Sequence, residues 1–248
     1  MSGSQRGAPT STRAALDRRV VAEAIGTALL LAAVVGSGIM GERLAGGNVA
    51  VALLANTLAT GAALVALILT FGPISGAHFN PAVTLADACQ GGLGWSTVPL
   101  YVAAQVVGAF AGVAIAHLMF EEPLFSASRH ARAGLPQLVS EFVATFGLVA
   151  VIGGCARTRA AAVPFAVAAY ITAAYWFTAS TSFANPAVTL ARSATDTFAG
   201  IRPVDAPGFI VAQLVGAAAA TALFRWLAPA APASASPVVV VPASREAS

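Results

Sequence analysis

Apolar residues dominate this chain in blocks separated by short polar or breaker-rich stretches. Six blocks are long: about 20–40, 49–71, 97–119, 138–155, 161–178 and 207–227. A membrane crossing needs about 20 apolar residues. Backbone amides in hydrocarbon have no water to bond, so the six blocks predict helices. Two further blocks, about 80–90 and 185–194, are too short to cross. Gly46-Gly47, Gly91-Gly92, Pro123, Pro136, Pro203 and Pro207 mark the connections. The pattern predicts an all-α membrane protein with six transmembrane helices and two half-helices that enter the bilayer without spanning it.

Both short blocks open on the same words. Asn80-Pro81-Ala82-Val83-Thr84-Leu85-Ala86 returns as Asn185-Pro186-Ala187-Val188-Thr189-Leu190-Ala191. The match extends around them: Ala22-Glu23-Ala24-Ile25-Gly26-Thr27 resembles Ser140-Glu141-Phe142-Val143-Ala144-Thr145, and Ala104-Gln105-Val106-Val107-Gly108-Ala109 resembles Ala212-Gln213-Leu214-Val215-Gly216-Ala217. The unit is span, span, half-helix, span. An odd number of crossings forces the second copy to enter from the other side, the mark of an inverted repeat. The expected channel domain is 20–228, with repeat one at about 20–120 and repeat two at about 138–228. Residues 1–19 and 229–248, polar and Pro/Ala/Ser-rich respectively, are expected to be disordered tails.

Asn-Pro is a helix-start signal. The Asn side-chain oxygen accepts from the second or third helical N–H, and Pro supplies a preset φ and lacks an N–H that would go unpaired. The amide NH2 is left to point along the helix axis, and Ala lets two helix starts approach closely. Tip to tip at the midplane, the two starts would offer donors and converging positive dipole ends to one cavity. A neutral solute with lone pairs finds partners there. A cation, or a proton, meets positive potential and loses hydration at a cost of several kcal/mol.

Charge and cysteines narrow the classes. Only 9% of residues are charged and 58% are hydrophobic, which excludes an ordinary soluble domain. The thirteen basic residues are all Arg and form no basic run with interleaved aromatics, so no nucleic-acid partner is expected. Cys89 and Cys155 offer no disulfide or metal-ligand spacing; no metal site and no cofactor are expected. The stretch from Val20 to Met40 is too long for a signal-peptide core. Arg6, Arg13, Arg18, Arg19, Arg157, Arg159, Arg225 and Arg245 fall on the side of the termini, against Arg43, Arg129, Arg132, Arg192 and Arg202 opposite. That excess places both termini in the cytoplasm, with Trp95, Trp176 and Trp226 at the interfaces.

These residues resemble the major intrinsic protein family, the aquaporins and glycerol facilitators. The match rests on Ser75-Gly76-Ala77-His78-Phe79-Asn80-Pro81-Ala82-Val83-Thr84, on Asn185-Pro186-Ala187, and on Glu23 and Glu141. The resemblance implies an aquaporin-like fold, a homotetramer in the cell membrane, and one pore per subunit. It also implies that Glu23 and Glu141 anchor re-entrant loops through backbone N–H groups, with His78 a further scaffold residue. Most members carry an Arg directly after the second Asn-Pro-Ala; here that position is Val188. Spacing assigns the other constriction positions to Thr60, Ala173 (or Thr172 or Ala174) and Ser182. Four small residues imply a wider, less charged outer gate. Arg192, one turn beyond Val188, either reaches back toward that gate in an outer vestibule or pairs with Asp196 or snorkels, the reading preferred here. The phrase around Thr181-Ser182-Phe183-Ala184-Asn185 also resembles a bacterial subgroup associated with arsenic detoxification, making undissociated arsenite a candidate solute.

The resulting expectation is a passive channel for small uncharged polar solutes: glycerol-like polyols, arsenite and water. A water-selective channel is the alternative. A gradient-coupled transporter would need titratable groups at the half-helix tips, where only the two Asn residues stand. A structural protein would need binding domains or long loops. An enzyme would need a nucleophile–base pair, metal cluster or phosphate loop.

Overall fold

The computed structural model describes residues 9–228. Its helices are α1 (Pro9–Leu44), α2 (Val49–Ser75), α3 (Pro81–Cys89), α4 (Val98–Phe120), α5 (Leu135–Thr158), α6 (Val163–Phe177), α7 (Pro186–Arg192) and α8 (Ala206–Leu227). A short 3₁₀ turn, Ala160–Ala162, precedes α6. Six of the helices are long and apolar enough to cross a membrane. Among the described residues there is no strand.

Each boundary has a local cause. The Asn48 side chain accepts from the N–H groups of Ala50 and Val51 to start α2, and Gly76, at φ 92°, ends it in the left-handed conformation. Pro136 and Pro207, expected in connections, stand instead in the first turns of α5 and α8, where a missing N–H costs nothing. α1 departs more from expectation. It begins at Pro9, so residues 9–19 of the expected disordered tail are helical. Hydropathy marks where lipid burial starts, whereas Ala14, Ala15 and Leu16 favour helix in water as well. The disorder expected for 1–8 and 229–248 lies outside the described residues.

The eight helices form two units, α1–α4 and α5–α8. Within each, the first span packs on the second and the last: α1 against α2 and α4, α5 against α6 and α8. The units join through α2 and α6, and each half-helix also meets the last span of the other unit, α3 on α8 and α7 on α4. Close approach depends on small residues. A Cβ at Gly108 or Gly112 would run into the carbonyls of Ala24 or Ala28, and one at Gly216 into that of Phe142. At about 1.5 Å per residue, α3 and α7 reach only part-way across a hydrocarbon core of about 30 Å. Their starts therefore meet inside the protein.

Candidate functional site

The two helix starts hold one another. Asn80 Oδ1 accepts from the N–H of Ala82 at 2.9 Å, and Asn185 Oδ1 accepts from Ala187 at 3.0 Å and Val188 at 3.3 Å. Each amide nitrogen then reaches into the other repeat. Asn80 Nδ2 donates to the Ala184 carbonyl and Asn185 Nδ2 to the Phe79 carbonyl, both at 2.8 Å. The sequence left both NH2 groups wholly free. In the structure each uses one proton across the repeat interface and keeps a second. Pro81, Ala82, Pro186 and Ala187 are all buried in the first turns behind them.

The loops that deliver these starts are strained and tied down in the same way twice. Ala77 and Phe79 adopt left-handed φ of 50° and 48°, and Ser182 and Ala184 adopt 51° and 49°. Each such non-glycine residue costs about 1–2 kcal/mol. A buried carboxylate holds each loop. Glu23 accepts from the N–H of His78 (3.0 Å) and Phe79 (2.7 Å), from the Ser75 hydroxyl (2.6 Å) and from Gln105 Nε2 (2.8 Å). Glu141 accepts from the N–H of Phe183 (2.9 Å) and Ala184 (2.8 Å) and from Gln213 Nε2 (2.6 Å). Gln105 and Gln213 also donate to Thr84 and Thr189 in the half-helices, each at 2.8 Å. Both glutamines recur in the sequence repeat, and a polar amide repeated inside an apolar span is the signal that marks them.

A cavity of about 530 Å³ runs past both Asn residues. Towards the start of α3's loop it is lined by Arg19, His78, Asp87 and Gln90; towards that of α7 by Thr60, Tyr175, Ser182, Val188 and Arg192. The two mouths are chemically unequal at equivalent places. His78 and Asp87 in the first repeat occupy the positions of Phe183 and Arg192 in the second. His78 Nε2 stands 3.5 Å from Asp87 Oδ2 and Nδ1 stands 3.2 Å from the Thr84 hydroxyl. Arg192 instead sits over the Phe183 ring, its guanidinium carbon 3.4 Å from the ring centre. Arg132 approaches the same ring at 5.0 Å.

Two expectations about the outer constriction fail. Ala173 is exposed on the outer face of α6, and neither Thr172 nor Ala174 lines the cavity. The lining positions on α6 are Val163, Val167, Ile171 and Tyr175, one every four residues. Two residues beyond Ile171 is about 200° around a helix, the wrong side. A large phenol therefore stands where a small Ala was expected. Arg192 neither snorkels nor pairs with Asp196. It is 2% exposed, and its Nε donates to the Ala199 carbonyl. Asp196 is taken by Arg129, whose Nε lies 2.7 Å from its carboxylate. The backbone N–H of Arg129, then its side chain, hold that carboxyl below its ordinary range. Sequence spacing along one helix could not reveal a competing partner from the α4–α5 connection.

The family model for major intrinsic proteins matches residues 10–162 and 154–245. This chain belongs to the major intrinsic protein family. Aquaglyceroporin AqpS of Rhizobium meliloti (strain 1021) is 60% identical over 212 residues, 86% of this chain and 91% of that protein. A probable aquaporin of Arabidopsis thaliana, NIP7-1, is 43% identical over 98 residues, which are 40% of this chain and 34% of that one. Among solved structures, the aquaglyceroporin from Plasmodium falciparum superimposes with a TM-score of 0.67 at 20% identity, covering 86% of this chain and 98% of that one. At that identity the likeness speaks for the shared fold. As a major intrinsic protein, the chain carries paired Asn-Pro-Ala starts, with Val188, a cavity-lining residue, directly after the second of them.

Ser182 gives the cavity wall a chemical handle. Its hydroxyl is buried beside the cavity without a hydrogen-bond partner, while the native thiols, Cys89 and Cys155, are not among the lining residues. Ser182→Cys is expected to make solute flux sensitive to mercuric chloride and recoverable with a thiol reductant, while the native protein resists. Shrinking-rate measurements on proteoliposomes test this, and a resistant Ser182→Cys protein would remove Ser182 from the passage.

Proposed function

We propose that the chain is a passive channel through which small uncharged polar solutes, glycerol-like polyols and water, cross a cell membrane. The observation that carries the reading is one cavity that runs past both Asn80 and Asn185, each with an amide proton left over. A solute hydroxyl can trade hydration for those donors at little net change, because a hydrogen bond exchanged for another is nearly neutral. An inorganic cation finds donors and two positive helix starts where it needs oxygen ligands. The apolar wall from Leu64, Val83, Val167 and Ile171 offers it nothing in exchange. Nothing in this path needs a chemical step, so its work is passage and not catalysis.

Undissociated arsenite, a neutral triol-like molecule near glycerol in size, fits the same description and is included in the proposed solute class. Pro81, Ala82, Pro186 and Ala187 set the two starts; Thr60, Ser182 and Val188 line the constriction, with Arg192 at the outer vestibule. Glu23, Glu141 and the backbone of His78 hold the loops. Both termini face the cytoplasm in this reading, following the Arg excess on their side. The lipid-exposed Leu58, Val107, Leu118 and Val215 leave apolar surface for bilayer and for neighbours in a homotetramer.

The test is swelling of proteoliposomes containing the full chain in glycerol and mannitol gradients. Glycerol entry well above that of empty liposomes, with mannitol excluded, is expected. Equal, slow responses to both would defeat the reading. Glycerol flux that follows an imposed proton or sodium gradient would replace it with coupled transport.

A further inference from the structure

We infer that the α7 side of the cavity holds a binding site for a small carboxylate anion, made by the free edge of the Arg192 guanidinium. A buried cation with no acid beside it carries the assignment. Arg192 is 2% exposed and lines the cavity. Its Nε donates to the Ala199 carbonyl, and among the described residues neither Nη has a hydrogen-bond partner. Neither Nη is sealed off: the fully buried polar atoms without partners do not include them, so both keep accessible surface. The acids of this repeat are spent elsewhere. Glu141 serves the Phe183 and Ala184 N–H groups and Gln213, Asp196 pairs with Arg129, and Asp205 pairs with Arg202.

Taking a guanidinium out of water is costly unless something answers its charge. The Phe183 ring answers part of it. Arg132 adds to the demand: it approaches the same ring at 5.0 Å, and its side chain donates to the Gly200 and Ser180 carbonyls and the Thr181 hydroxyl, not to an acid. Repeat one is the opposite case. Asp87 holds the position of Arg192 there, 3.5 Å from His78, so an anion is drawn to the α7 side and not to the α3 side. The free edge selects the ligand. With Nε taken, Nη1 and Nη2 present parallel N–H groups that match the two oxygens of one carboxylate. Phosphate brings further oxygens, and Val188, the cavity residue one turn deeper on α7, offers no donor for them. For the same reason the carboxylate stops where it docks and obstructs neutral solutes. That obstruction rests on the cavity being the conduction path; the binding does not.

The probe is sodium pyruvate at neutral pH, a small carboxylate that stays ionised, compared with sodium chloride and sodium phosphate at equal ionic strength. Calorimetric titration of the detergent-solubilised full chain reads binding, and glycerol permeability of proteoliposomes reads obstruction. Pyruvate is expected to bind with a dissociation constant on the order of 1 mM, the affinity that a pair of charge-assisted hydrogen bonds supports, and to lower glycerol permeability over the same range. Arg192→Gln is expected to abolish both effects. Arg192→Lys, which keeps the charge and loses the fork, should weaken binding about tenfold, and it decides alone should Arg192→Gln fail to fold. Arg129→Gln, removing an exposed cation already paired with Asp196, should bind pyruvate as the native protein does. Pyruvate binding no better than chloride, phosphate binding more tightly than pyruvate, or native affinity in Arg192→Gln and Arg192→Lys would each overturn the site. So would an equal loss in Arg129→Gln, which would make the attraction one of diffuse surface charge. A native protein that binds pyruvate but passes no glycerol would overturn the channel reading and uphold the site.

Discussion

Glu141→Gln is expected to reduce glycerol permeability at least about tenfold and to lower thermal stability by about 3–5 kcal/mol, the usual effect of breaking a buried charge network on one side. Glu141 is fully buried, and its two oxygens accept from the backbone of Phe183 and Ala184 and from Gln213. The amide has the same shape but only one acceptor oxygen. Its NH2 would face the Phe183 N–H in one orientation and both the Ala184 N–H and the Gln213 NH2 in the other, donor against donor. Each stranded buried donor costs about 1–3 kcal/mol. The loop thus released contains Thr181, Ser182 and Ala184 in left-handed conformations, so strain favours its relaxation. The Asn185 start and the Ser182 wall would move with it. Yield of monodisperse protein, unfolding temperature and glycerol flux measure the three consequences. Native values for all three would show that Glu141 does not hold the loop.

Val188→Arg is expected to cut glycerol flux at least about tenfold, or about 1.4 kcal/mol of added barrier, while water flux falls far less. Val188 is 5% exposed and lines the cavity from α7. A guanidinium there adds length across the lumen. It also stands one turn before Arg192, and like charges four residues apart on a helix repel by a few tenths of a kcal/mol. Arg192, buried over Phe183 and bonded to Ala199, has little room to withdraw, so the new side chain extends into the passage. Water needs a narrower bore and can bond the guanidinium on its way. The measurement is the ratio of glycerol to water permeability in stopped-flow shrinkage. A proportional fall in both would move Val188 out of the solute path.

Apart from the N-terminal end of α1, the apolar blocks located the spans and both half-helices within a few residues, because lipid admits few backbone solutions and each is written in a long run of sequence. The repeated phrase likewise announced the two starts, since an N-cap Asn followed by Pro acts through its own next residues. Legibility ended where the decisive partner came from elsewhere in the chain. Arg192 looked set for Asp196 on the same face, yet Arg129 takes that carboxylate. Ala173 fell at the right spacing, but the rotation of α6 turns Tyr175 to the lumen. The tail expected before Val20 is helical from Pro9 because helicity and lipid burial are separate properties.

By itself, the sequence determined the number of crossings, the inverted duplication, the paired helix starts and the two carboxylates inside spans. All of these depend on local propensity, or on the cost of leaving a polar group in hydrocarbon. Only the tertiary structure decided which side chains bound the lumen, which cation lies on Phe183, and that each Asn amide ties itself to the opposite repeat. Those outcomes depend on helix rotation and on contacts between distant segments, where a shift of one or two residues exchanges the lumen for lipid.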